Sequence, residues 1–195
     1  MTVSDFIIKF LIKKKVTDLF GIPGEIIFDF LYAINRHKPK IESHLNFHEQ
    51  NSCFAASGYA RSTQKLGVAY ATRGPGITNM VTAVADAYCD SIPMLIITAH
   101  SGSLSKKKMR VISDQEIDTI SIFSGITKYC AKVSSAKNAQ FHIEKAYFEA
   151  MNGRKGPVFL DFNKKIFSKK IKIKKLQKIK IKKKLKKQVS LAKKK

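Results

Sequence analysis

The sequence predicts an α/β fold, a mainly parallel six-stranded sheet flanked by helices on both faces. Three observations carry that prediction. Strand-like and helix-like apolar patterns alternate about six times along the chain, as βα crossovers require. The stretch from Pro93 to Ala99 is continuously apolar, the pattern of a strand buried on both faces. Turns marked by Gly and Pro follow two of the predicted strands, at Gly21-Ile22-Pro23-Gly24 and Gly74-Pro75-Gly76.

The elements follow in order. Val3, Phe6, Ile7, Phe10 and Leu11 recur at helical spacing, with Ser4 as the expected cap. Val16 to Phe20 reads as a short strand closed by the turn Gly21-Ile22-Pro23-Gly24. Ile26, Ile27, Phe30, Leu31 and Ile34 mark a second amphipathic helix, and Ile41 to Phe47 alternates like a strand. Asn51 to Ser62 reads as a helix rich in small residues, suited to close packing. Leu66 to Thr72 is a strand, Gly74-Pro75-Gly76 a turn, and Thr78 to Tyr88 a helix. After the strand at Pro93 come a short helix, Glu116 to Phe123, and a strand, Tyr129 to Val133. A helix from Ala139 to Met151 ends at Gly153, and Pro157 to Phe162 is the last strand.

The net charge of +23 over 195 residues is unevenly placed. Residues 164–195 hold 17 of the 37 Lys and Arg and no Asp or Glu, leaving 20 basic and 14 acidic residues in 1–163. That balance is ordinary for a soluble domain. The sequence therefore divides into a globular unit, 1–163, and a Lys-rich low-complexity tail, 164–195, where Lys, Ile and Leu dominate. Residues 103–113 form a second, smaller basic stretch. The tail attracts phosphates nonspecifically, but with Phe167 its only aromatic residue and no Arg it has little with which to read bases.

Cys53, Cys89 and Cys130 are widely spaced and form no Cys-x-x-Cys pair, so three buried or half-buried thiols in a reducing compartment are expected. His37, His44, His100 and His142 lack metal-ligand spacing and are expected in surface or packing roles. The first 20 residues are charged throughout rather than arranged as a signal peptide. The longest apolar run is too short to span a bilayer. The expectation is a cytoplasmic protein.

In parallel α/β sheets, ligands gather at the carboxyl ends of the strands. The Gly21 turn, Glu49, Thr72 with Gly74-Pro75-Gly76, and the segment from His100 to Gly102 all follow predicted strands. The topology therefore brings them to one rim. A carboxylate such as Glu49, at a strand end among apolar neighbours, is costly to ionise, and desolvation is expected to raise its pKa. Gly74 to Asn79 also suggests a phosphate-binding turn. It lacks both the Gly-x-Gly-x-x-Gly pattern and the Lys-Ser/Thr of a nucleotide loop.

Six ordered blocks then carry a resemblance. They are Phe20-Gly21-Ile22-Pro23-Gly24; His48-Glu49-Gln50 with Ala56, Gly58, Tyr59, Ala60 and Arg61; Gly74-Pro75-Gly76 with Thr78-Asn79; Ser91-Ile92-Pro93-Met94 with Ile96-Ile97-Thr98; Gln115-Glu116; and Gly156 to Asp161. Over residues 1–163 the chain resembles the N-terminal pyrimidine-binding domain of thiamine-diphosphate enzymes of the acetolactate synthase-like group. The resemblance implies that Glu49 is the proton-relay residue facing the aminopyrimidine of thiamine diphosphate. It places Pro23, Gly24, Thr72, Pro75, Asn79 and Gln115 near that ring or at the dimer seam.

The resemblance also implies parts beyond this sequence. The family holds the diphosphate through Mg²⁺ on a Gly-Asp-Gly segment and a later Asn, and no Asp here precedes Gly. A diphosphate-binding domain, on another chain or a missing segment, is the expected partner, with dimer or homo-oligomer contacts. The expected function is a thiamine-binding domain of a 2-keto acid decarboxylating and carboligating enzyme, truncated and inactive alone. The alternatives are one subunit of a split decarboxylase, or a non-catalytic scaffold whose basic tail binds nucleic acid or anionic surfaces.

Overall fold

The computed structural model describes residues 1–102 and 114–173. The basic stretch 103–113 and residues 174–195 of the Lys-rich tail lie outside the described residues. One sheet contains β1 (Asp18–Gly21), β2 (Glu42–Leu45), β3 (Gly67–Tyr70), β4 (Met94–His100), β5 (Tyr129–Val133) and β6 (Val158–Asn163). Its six strands run in the order β2-β1-β3-β4-β6-β5. Every neighbouring pair is parallel, so the sheet is wholly rather than mainly parallel.

The strand residues sort by face with the period of two that a pleated strand imposes. Leu95, Ile97 and Ala99 of β4 point into one core with Leu160 and Phe162 of β6. That core is covered by α1 (Val3–Lys13), α2 (Phe28–Arg36) and α7 (Ala136–Met151). Met94 and Ile96 point into the other core, with Phe159 stacked on Phe123 at 4.3 Å between ring centroids. There the cover is α3 (Glu49–Thr63), α5 (Val81–Cys89) and α6 (Thr119–Phe123). The short helix α4 (Pro75–Thr78) precedes α5.

The small residues predicted for close packing in α3 serve that purpose. Ser52, Cys53, Ala56, Ser57 and Ala60 are its buried face. At Gly67 of β3 a Cβ would run into the carbonyl oxygen of Ala56. Helix and strand approach to a distance that only glycine allows there.

Several boundaries differ from the sequence expectation. Thr2, not Ser4, caps α1, its side chain accepting from the Asp5 amide. Ser4 is buried and donates through Oγ to the carbonyl of Phe167 at 3.0 Å. The helix expected at Ile26 begins as a 3₁₀ turn, Glu25–Ile27, before α2. The helix expected over Thr78 to Tyr88 is divided into α4 and α5. Of the three thiols, Cys53 is buried and Cys130 half-buried, while Cys89 is exposed rather than covered. Desolvation pushes the Cys130 thiol up to about 11.

The composition changes at Lys164, but packing continues beyond it. A 3₁₀ turn, Lys164–Ile166, leads to Phe167, which is buried against Phe162 and Phe30 at centroid distances of 5.3 and 6.0 Å. Thr2 and Lys170 then form an antiparallel bridge, and Ile171 donates to the carbonyl of Met1 at 3.0 Å. Ile166, Phe167 and Ile171 pack on the first core, and hydrogen bonds from Val3 and Ser4 to the strap's carbonyls add to the hold despite its lysines. No helix among the described residues is long and apolar enough to cross a membrane.

Candidate functional site

The register of the sheet puts the carboxyl ends of the central strands on one rim. Gly21 of β1 pairs with Tyr70 of β3, and Tyr70 with Ile97 of β4. Gly21 must be glycine, because a Cβ there would overlap the Tyr70 ring and carbonyl. The chain then turns through Ile22, Pro23 and Gly24. A Cβ on Gly24 would lie 2.8 Å from Cβ of Thr72, so this turn sits directly against the segment that follows β3.

Glu49 is not on a strand. It is the first residue of α3, four residues beyond the end of the exposed edge strand β2. His48 caps that helix, its ring Nδ1 accepting from the Gln50 amide at 3.2 Å. The Glu49 side chain is half-buried and stands at a helix N-terminus, where negative charge is favoured. The expected desolvation is therefore only partly supplied by this chain.

Across from Glu49 lies the glycine turn. Gly74 has φ +63°, and a Cβ there would meet the backbone carbonyl of Gln115. Pro75 opens α4 at the position where a missing N–H costs nothing. Gly76 leaves a hollow that a Cβ would fill, at 2.7 Å from Thr72 Cγ2 and 3.3 Å from Glu49 Oε1. Asn79, just past α4, donates from Nδ2 to Glu49 Oε2 at 2.9 Å. Among the described residues Oε1 accepts no hydrogen bond.

The structure thus brings Glu49, Thr72, Gly24 and Asn79 together around Gly76, from four separate loops and helix ends. Gln115 reaches the group through its backbone, behind Gly74, with its side chain exposed and φ +53°. Pro75 and Pro23 are exposed in the two turns that frame the hollow. Gly76 was legible as part of a turn, but its role as the floor beneath the carboxylate depends on packing between distant segments.

A second polar cluster closes the rim further along. His100, at the end of β4, is buried and shares a hydrogen bond with Asp161 of β6 at 2.9 Å. Thr119 donates to the other Asp161 oxygen at 2.7 Å. Next to it, buried Glu116 accepts from both the amide and the hydroxyl of Ser101. His100 therefore has the packing role expected of it, but it belongs to a satisfied buried network rather than standing alone. The signal for that network in the sequence is slight, since the partners are 61 and 42 residues apart.

With this geometry in place, comparison with known proteins is direct. The family model described as thiamine pyrophosphate enzyme, N-terminal TPP binding domain, matches residues 1–122. Acetolactate synthase 1, chloroplastic, of Oryza sativa subsp. japonica is 39% identical over 163 residues, covering 84% of this chain and 25% of the relative. The acetolactate synthase large subunit of Lactococcus lactis is 38% identical over 163 residues, 84% of this chain and 28% of that protein. That of Buchnera aphidicola subsp. Schizaphis graminum is 37% identical over 166 residues, 85% of this chain and 28% of that protein. The chain spans about a quarter of the length of these relatives. The parallel sheet, the glycine hollow beside Glu49 and the match over more than half the sequence agree: this chain belongs to the family of thiamine pyrophosphate enzyme N-terminal TPP-binding domains.

Proposed function

We propose that this chain forms the pyrimidine-facing half of a thiamine diphosphate site in an acetolactate synthase-like enzyme, which decarboxylates a 2-keto acid and joins the product to an acceptor. The observation that carries this reading is the posture of Glu49. One oxygen is fixed by Asn79 while the other borders the hollow over Gly76 with no hydrogen bond among the described residues. The fit to the cofactor is good in kind. A flat ring needs a floor without a Cβ, and Gly76 supplies it. A ring nitrogen needs a carboxyl group with an uncommitted oxygen, and Oε1 of Glu49 supplies that.

When bound, thiamine diphosphate supplies the carbanion chemistry, and the protein contributes orientation and proton transfer. Glu49 holds or passes a proton at Oε1, facing the pyrimidine. Asn79 keeps that oxygen turned inward by occupying Oε2. Thr72 and Gly24 pack the hollow, while Pro23, Pro75 and the backbone of Gln115 hold the turns that frame it.

We assign the diphosphate and Mg²⁺ to a further domain or to another chain. Two features support this. No Asp precedes Gly in the sequence, and the relatives are about four times as long as the matched region. The partner would also finish the site. Leu45 and Phe47 before Glu49, and Phe54 after it, are large exposed apolar residues. A domain seated on them would remove water from Glu49 and complete the desolvation that this chain begins.

A chimera tests the reading. Residues 1–173 replace the matching N-terminal segment of the Lactococcus lactis large subunit, and pyruvate consumption is measured with thiamine diphosphate and Mg²⁺. The chimera should turn over, and Glu49→Gln should reduce turnover by about a thousandfold or more with an unchanged circular dichroism spectrum. Retained turnover in the Gln variant removes Glu49 from the relay.

A further inference from the structure

On the side of the sheet away from α3, α1, α7 and the ends of the strap line an open cleft of about 320 Å³. Helical spacing places Phe6, Lys9, Phe10 and Lys13 on one face of α1, with Lys14 at its C-terminal cap, and all five line it, with Met1 and Ile173. Glu144 of α7 stands in the opposite wall. None of these residues belongs to the thiamine site.

Glu144 is the unusual member. It is 8% exposed. Its Oε1 accepts from Gln140 at 3.1 Å, one helical turn back. Its Oε2 is the one buried side-chain oxygen or nitrogen among the described residues without a hydrogen-bond partner. Burial raises its pKa, against the hydrogen bond from Gln140 and the pull of Lys14 and Lys13. An acceptor sealed in this way is uncommon in native structures and calls for a donor. The torsion about its carboxyl group is soft, so the free oxygen can turn toward a donor that enters the cleft.

The surrounding charges narrow the donor. Lys14 is already engaged, its Nζ lying 4.4 Å from the centroid of the Tyr147 ring and 5.5 Å from that of Phe10. Lys9 and Lys13 are exposed cations at the mouth. A bare ammonium would satisfy Glu144 but be repelled by three lysines. A bare carboxylate would suit the lysines but leave Glu144 unanswered.

We propose that this cleft binds a small zwitterion with an apolar body: its ammonium donates to Glu144, its carboxylate meets Lys9 and Lys13, and its body packs on Phe6, Phe10 and Ile173. The aromatic walls favour a flat body, so an aromatic α-amino acid is the ligand class.

The test uses the full chain and three probes that share a phenyl body and differ in which charged group they carry: L-phenylalanine has both, phenethylammonium lacks the carboxylate and 3-phenylpropionate lacks the ammonium. Binding is followed by calorimetry and by amide shifts of α1 and α7. L-Phenylalanine should bind saturably, and each of the others about tenfold more weakly or worse. Glu144→Gln should weaken L-phenylalanine about tenfold or more. A Lys9→Ala/Lys13→Ala double variant changes only exposed side chains. It should weaken L-phenylalanine to the level of phenethylammonium. The proposal is overturned if no probe saturates, if the three bind alike, or if either variant leaves L-phenylalanine unaffected. No readout involves thiamine, so failure here leaves the assignment of Glu49 standing, and the reverse holds.

Discussion

Asn79 Nδ2 and Glu49 Oε2 are joined at 2.9 Å across 30 residues of sequence, tying the end of the glycine turn to the first residue of α3. That bond divides the two carboxylate oxygens into one that is held and one that is free. Replacing Asn79 with Ala should release the carboxyl rotor and lower turnover of the chimera about tenfold, with little change in stability. Asn79→Asp should do more harm, because it replaces the amide donor to Oε2 with an acceptor that repels the Glu49 carboxylate. Unchanged turnover in the Ala variant would show that the bond does not orient Glu49.

The two glycines of the turn should respond differently to a methyl group. Gly74→Ala combines a left-handed backbone, φ +63°, with a collision against the Gln115 backbone. A cost of about 2 kcal/mol or more is expected, a fall in Tm of roughly 4–8 °C for a domain of this size. Gly76→Ala meets the side chains of Thr72 and Glu49 rather than backbone. It should cost less stability but fill the hollow, so thiamine affinity in the chimera should fall more than Tm does.

The strap after β6 should be part of the folding unit. Phe167 is 1% exposed and touches Phe30 and Phe162. Phe167→Ala should cost about 3–5 kcal/mol. A chain ending at Asn163 should be destabilised relative to the full chain at least as much as that variant in urea denaturation. If it is as stable as the full chain, the strap contributes nothing.

Acid should weaken the start of α1. Burial acts to raise the pKa of Asp5, but hydrogen bonds from Thr2 and Arg36 and the charge of Arg36 outweigh it and hold it below the ordinary carboxylate range. A group depressed in the folded state stabilises the fold above its unfolded pKa, about 3.9. That contribution is lost as pH falls through the lower folded value. Asp5→Asn should therefore flatten the decline of stability below about pH 4. At pH 7 it should cost about 1 kcal/mol, chiefly from the lost charge beside Arg36 and at the helix N-terminus. An unchanged slope of stability against pH would show that Asp5 is not the group responsible.

Much of this protein was legible before any coordinates. The alternation of patterns required a parallel sheet with helices on both faces, and the run from Pro93 to Ala99 marked its centre, because a strand covered on both sides has no polar face to show. The Gly74-Pro75-Gly76 turn was legible for the same kind of reason. Chain turns and strand ends are local, and topology sends them to one rim.

Tertiary packing decided the rest. Periodicity gives no distances between segments, so only the fold shows Asn79 against Glu49, Gly76 as a floor, and Glu49 at a helix start rather than a strand end. Composition reports average solvation, so the change at Lys164 concealed two apolar residues, Ile166 and Phe167, whose burial carries the chain onward to Ile171. Likewise Glu144 was one more charged residue on a predicted helix. Its burial beside α1 depends on packing between distant segments, which local sequence rules do not see.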